Sequence, residues 1–200
     1  MFKTIVILYC LRGRNMGKSK VQYDKIRLIT YTALFSALVF VGTMIHITPS
    51  ANAGYTHFGD GIIYLAACIL PAPYAMLSAS IGAGLADIVA GSANWAVATI
   101  IIKALNVVPF ALMRIYLKNK RKDDKILSWQ SAMMLVPSSL VTIFGYVAAE
   151  SIMYGTKFAI VAAFVSGWLQ PLGSAVIFVL LAAALDKVKF KTKILNTLKK

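Results

Sequence analysis

Four ionisable side chains, Asp60, Asp87, Lys103 and Glu150, stand in or beside otherwise apolar segments. Such groups are expensive at bilayer depth, so each needs a partner, a wet cavity or a ligand. Carboxylates accept from hydroxyls or ring amines, and a lysine donates to a ring oxygen or a phosphate-like group. His57 and Asn94 add further polar contacts. Tyr55, Trp95, Tyr146, Tyr154 and Trp168 could stack on a flat heteroaromatic ring. This is the chemistry of recognition. Nucleophilic catalysis would need a nucleophile beside a base, and no P-loop, HExxH or Ser/His/Asp arrangement is evident. Cys10 and Cys68 have no metal or disulfide spacing, and His46 and His57 lack a carboxylate-rich context. The chain is therefore expected to be no enzyme and to use no metal and no cofactor.

The elements that must position these residues are membrane helices. The chain has 200 residues, 59% hydrophobic and 14% charged, against about a quarter charged in a soluble domain. The pattern predicts an all-α integral membrane protein with six transmembrane helices over residues 28–47, 57–70, 74–90, 95–117, 127–154 and 158–185. Residues 1–22 read as a cytoplasmic N-terminal extension, 23–190 as the six-helix membrane domain and 191–200 as a basic cytoplasmic tail. Of 21 Lys and Arg, seven lie in residues 1–27, six in 114–125 and six in 186–200. By the positive-inside rule, both termini are cytoplasmic. Orientation and anionic lipid then account for the net charge of +14, so no nucleic-acid partner is needed.

This topology gathers His57, Asp60, Asp87, Asn94, Trp95, Glu150 and Tyr154 near the external ends of their spans. Lys103 lies deeper, about 12 Å into its helix. A pocket open to the outside is the expected form of a small-molecule site. Plainer readings stand beside this one. Asp60, in a first turn, is also placed to favour the helix dipole as a simple cap. Lys103 could snorkel, or pair with Asp87 or Glu150. Tyr146, Glu150 and Tyr154 share a helix face at four-residue spacing. Ala33 and Ala37 share another, with Ser36 beside them; small residues so spaced permit close helix approach or ordinary internal packing.

The stretch from Gly54 to Leu105 resembles the substrate-binding S components of energy-coupling factor (ECF) vitamin transporters, particularly the riboflavin-type group. The matching elements are Gly54-Tyr55, Phe58-Gly59-Asp60, Gly82, Leu85-Ala86-Asp87, Gly91, Thr99 and Ile102-Lys103. Pro71-Ala72-Pro73 and Ala104-Leu105-Asn106 depart from the usual pattern. The resemblance implies a membrane subunit in the bacterial plasma membrane. It would capture a water-soluble vitamin or precursor from outside: riboflavin, a pyridoxine-like compound or a hydroxymethylpyrimidine-like one. It further implies docking through Ala33 and Ala37 onto a transmembrane coupling subunit, which works with two cytoplasmic ATPases. The substrate-binding residues expected are Tyr55, His57, Asp60, Asp87, Asn94, Trp95, Lys103, Tyr146, Glu150 and Tyr154. The alternative is a small stand-alone secondary transporter or channel.

Overall fold

The computed structural model of the protein describes residues 24–47, 56–119, 125–156 and 167–198. Seven helices occupy these residues: α1 (Lys25–Met44), α2 (Gly59–Ile69), α3 (Ala72–Val89), α4 (Ala96–Asn119), α5 (Trp129–Tyr154), α6 (Leu169–Lys187) and α7 (Phe190–Leu198). Two-residue strands, β1 (His46–Ile47) and β2 (Thr56–His57), pair antiparallel between α1 and α2. Tyr55, Cys10 and the expected extension 1–22 lie outside the described residues.

Five helices are long and apolar enough to cross a membrane: α1, α3, α4, α5 and α6. The predicted second span is the 11-residue α2. At 1.5 Å per residue it rises about 16 Å, half of a hydrocarbon core. The predicted tail, by contrast, continues as α7, whose Lys191, Ile194 and Leu198 are buried.

Local sequence sets the helix ends. Asp24 caps α1 by accepting from the backbone N–H of Ile26 at 3.0 Å. Ser128 and Ser131 form a reciprocal capping box at the start of α5. Pro71 and Pro73 end α2 and open α3, since proline suits a helix's first turn. Gly91, at φ +79°, turns the chain after α3.

The short helix is the centre of the fold. α2 packs against α1, α3, α4 and α6, and every residue from Ile63 to Leu70 is buried. Its Tyr64 stacks on Phe110 of α4 at 5.1 Å and meets Phe178 of α6 edge-on at 6.1 Å. Large apolar side chains such as Ile26, Val97, Phe144 and Ile152 face outward instead. Exposed apolar surface on this scale is what lipid covers.

At one end of the bundle, the chain ties itself together. The Asp24 N–H donates to the Leu198 carbonyl at 3.0 Å, and Arg27 donates to the Thr197 carbonyl. The Asp186 carboxylate accepts from the N–H groups of Ile126 and Leu127, both at 2.8 Å. Lys191 donates to the Lys125 carbonyl at 3.1 Å. The starts of α1 and α5 and the chain's last helix therefore share this proximal end. The opposite, distal end carries the starts of α2, α4 and α6.

Close packing depends on glycine at Gly61 of α2. A Cβ there would lie 2.8 Å from the Ser174 carbonyl and 3.1 Å from the Phe178 nitrogen, both backbone atoms of α6. At Gly173, a Cβ would meet only Phe58, at 3.8 Å. Gly61→Ala should therefore destabilise the detergent-solubilised protein by about 1–3 kcal/mol through overpacking. Gly173→Ala should be neutral or stabilise by up to about 1 kcal/mol. Thermal unfolding of both variants checks this, and an equal response would refute the α2–α6 contact.

Candidate functional site

Asp60, in the first turn of α2, and Lys103, two turns into α4, form an ion pair with both side chains fully buried. The Lys103 ammonium lies 2.8 Å from Oδ1 and 3.0 Å from Oδ2 of Asp60. Gln170, in the first turn of α6, donates its side-chain amide to Oδ2 at 2.9 Å. Three helices thus meet on one carboxylate. The expectation that Lys103 pairs with Asp87 or Glu150 is corrected: its partner is Asp60. That carboxylate, rather than merely capping α2, carries the site's central charge pair.

The α2 terminus is capped by other groups. His57, buried in β2, accepts the Gly59 N–H on Nδ1 at 3.2 Å, and its carbonyl accepts from the Ser174 hydroxyl at 3.3 Å. At the other end of α2, Arg114 of α4 donates to the carbonyls of Ala67 and Leu70. Cations suit the negative end of a helix dipole.

From the ion pair, a ladder of polar and aromatic side chains runs along the α4–α5 interface. On the α4 side stand Trp95, Thr99, Lys103 and Asn106, spaced four, four and three residues apart, hence on one face. On α5, Ser138, Thr142, Tyr146, Glu150 and Tyr154 repeat every four. Asn106 donates to the Thr142 hydroxyl at 2.9 Å and accepts from Ser138 on its backbone carbonyl at 3.1 Å. The Thr99 and Tyr146 hydroxyls lie 3.2 Å apart. Lys103 sits over the Tyr146 ring at 5.1 Å, within cation–π range. The Trp95 ring lies 6.0 Å from Tyr146 and 5.9 Å from Tyr154. Asn94 donates to the Tyr154 hydroxyl at 3.2 Å.

Most of the expected residues therefore converge at the distal end. Asp60, Lys103, Tyr146, Trp95, Tyr154 and Asn94 form one connected chain of contacts. Glu150 is half-buried and lies one turn from both tyrosines. Asp87 is buried near the end of α3, within electrostatic reach of Tyr146. Trp168 is exposed just ahead of α6. Gln170, Thr99 and the Asn106–Thr142 rung belong to the same network and were not expected as site residues. Thr99 and Asn106 were detectable as polar positions at helical spacing from Lys103. Nothing local marks Gln170 as a partner of a residue 110 positions away.

A buried, compensated charge pair thus lies beside a cluster of three aromatic rings. The sequence model of the family described as ECF-type riboflavin transporter, S component, matches residues 24–187, and the chain belongs to that family. It is thus a vitamin-transport subunit of the substrate-binding kind. A protein of Pyrococcus woesei described as "Uncharacterized protein in gap 3'region" is 27% identical over 141 residues, covering 70% of this chain and 88% of that protein. No solved structure matches the chain.

Removing one member of a buried ion pair strands the other charge, at about 3–5 kcal/mol. Lys103→Met should therefore lower the unliganded protein's stability by that order. Adding Asp60→Asn to Lys103→Met should restore most of it. Denaturation of the four proteins in the cycle checks this, and additive losses would refute the pairing.

Proposed function

We propose that the chain captures a water-soluble vitamin or vitamin precursor at the distal end, facing outside, for uptake driven by ATP-hydrolysing partners. Riboflavin, pyridoxine-like and hydroxymethylpyrimidine-like compounds are the candidates. The observation carrying this reading is the rung of Trp95, Tyr146 and Tyr154 set directly against the buried Asp60–Lys103 pair. Stacking surface and fixed polar groups at one spot suit a small heteroaromatic ligand. Asp60 and Lys103 form the rigid floor, while Trp95, Asn94, Glu150 and Tyr154 lie toward the mouth. In this reading, α2 serves as the sixth membrane segment, and the tied proximal end holds both termini in the cytoplasm. The seven Lys and Arg of residues 1–27 favour that orientation.

The coupling subunit docks elsewhere. Between α1 and α3 runs an open apolar groove of about 600 Å³, with Ala33, Ala37, Phe40, Leu77 and Ile81 in its walls. Ala33 and Ala37 are both exposed there. Small side chains at this spacing let a partner helix approach closely. In the cell membrane, this face would seat the transmembrane coupling subunit, with two cytoplasmic ATPases behind it.

A thermal-shift screen of the purified protein against water-soluble vitamins tests the capture role. A ligand at a hundred times its dissociation constant stabilises by about 2.7 kcal/mol. One compound class should raise the unfolding temperature dose-dependently, and Trp95→Ala should abolish the shift. No stabilisation by any vitamin would overturn the reading. Ala37→Trp should leave ligand affinity within about twofold while uptake by cells falls to background, since a bulky ring closes the groove. Undiminished uptake, or transport by the chain alone in liposomes, would refute docking.

A further inference from the structure

The site's charge balance narrows the ligand further, on the premise that the distal end is the binding site. Lys103 contributes no net positive charge, because Asp60 holds it at 2.8 and 3.0 Å. The amide of Gln170 occupies the same carboxylate. Lys103 is the lone lysine or arginine among the described distal residues; Lys157 lies outside them. Two further carboxylates, Asp87 and Glu150, belong to this end. Asp87 is already engaged by other groups of the protein, which leaves Glu150 as the carboxylate that favours a cation over the aromatic wall.

The wall itself has the same preference. The face of an aromatic ring is the negative part of its quadrupole. One ring here already carries a cation, with Lys103 standing 5.1 Å over Tyr146. Trp95 bridges Tyr146 and Tyr154 at 6.0 and 5.9 Å. Glu150 sits one turn from each tyrosine on the same face of α5 and is half-buried. The described residues give Glu150 no hydrogen bond or ion pair. An uncharged ring would leave this half-buried carboxylate without a counter-charge beside it. An anion would meet both the ring faces and the Glu150 carboxylate.

We infer that the ligand carries a positive charge, as a protonated amine or cationic nitrogen on a small aromatic ring, with Glu150 as its counter-ion and Trp95 and Tyr154 as its π contacts. Glu150 is then a specificity-determining residue. It selects charge, whereas the Asp60–Lys103 pair builds the floor. Phosphate esters of the same compounds are rejected.

The test is calorimetric titration of the full chain in detergent with six probes. Thiamine and pyridoxamine are cations, riboflavin and pyridoxine are uncharged, and pyridoxal 5′-phosphate and nicotinate are anions. The tightest binder should be a cation. Its affinity should fall about tenfold or more in Glu150→Gln, the scale of one lost desolvated charge contact, and recover in part in Glu150→Asp. The same variants should leave any uncharged probe within about twofold. A tightest binder that is uncharged or anionic overturns the inference and leaves vitamin capture standing. Equal losses for all probes in Glu150→Gln make the residue structural and also overturn it. Binding by none of the six overturns it too, and a hit elsewhere in the wider vitamin screen tells that outcome apart from failure of the capture role itself.

Discussion

The fold rests on holding a helix too short to cross the membrane. α2 has 11 residues, and its last turn leads directly into the start of α3, so its first turn stops within the bundle, where unpaired N–H groups need protein partners. α4 contributes a charged side chain at each end. Its Lys103 reaches Asp60 in the first turn of α2, and its Arg114 reaches the last carbonyls. These two residues are 11 positions apart on a helix, about 16 Å, the length of α2 itself. The two helices run parallel, so each charge meets the dipole end it favours: the carboxylate at the positive end of α2, the guanidinium at the negative one. At the distal end, His57 accepts the Gly59 N–H.

That clamp fixes the geometry of the proposed recognition site. Lys103 must point at α2 to meet Asp60, and in doing so it lies across the Tyr146 ring. Tyr146 in turn orients Trp95, and Trp95 orients Tyr154. The aromatic wall thus inherits its geometry from a pair whose first duty is structural. The deepest polar residues are the least available to a ligand, because their bonds are already made. Availability rises toward the mouth, where Asn94 and Glu150 sit.

The sequence made some of this legible and hid the rest for physical reasons. Helix ends at α3 lay within two residues of expectation because Pro71, Pro73 and Gly91 act through local backbone geometry. Tyr146, Glu150 and Tyr154 could be placed on one face because four-residue spacing is a property of any helix. The cost of burying Lys103 was also readable. Its partner was not, since that cost is the same whichever carboxylate relieves it. Asp60 is 43 residues away, and choosing it over Asp87 requires knowing which helices are neighbours. Gln170 was hidden likewise. The brevity of α2 follows from Pro71, but its clamping from both ends depends on the α2–α4 register, which is a property of packing.

The two proposed surfaces lie on different helix pairs, and α3 is the element that joins them. One face of α3 carries Leu77, Ile81 and Leu85 into the groove with α1. Its Gly82 admits the Ser36 backbone and the Val39 side chain of α1. The other face meets α4: Ser80 donates to the Ile100 carbonyl at 3.0 Å, and Gly84 makes room for the Ile100 side chain. Ile100 follows Thr99 and precedes Lys103 by three residues, and Asp87 lies two residues before the end of α3, within electrostatic reach of Tyr146. On the proposed function, a ligand at the aromatic wall would lie against α4, whose Ile100 packs on the helix that lines the groove. Coupling needs differential contacts in two states. Both glycines seat groups of neighbouring helices closely, the Ser36 carbonyl at Gly82 and the Ile100 side chain at Gly84, so a shift of α3 against one helix has to repack its other face as well.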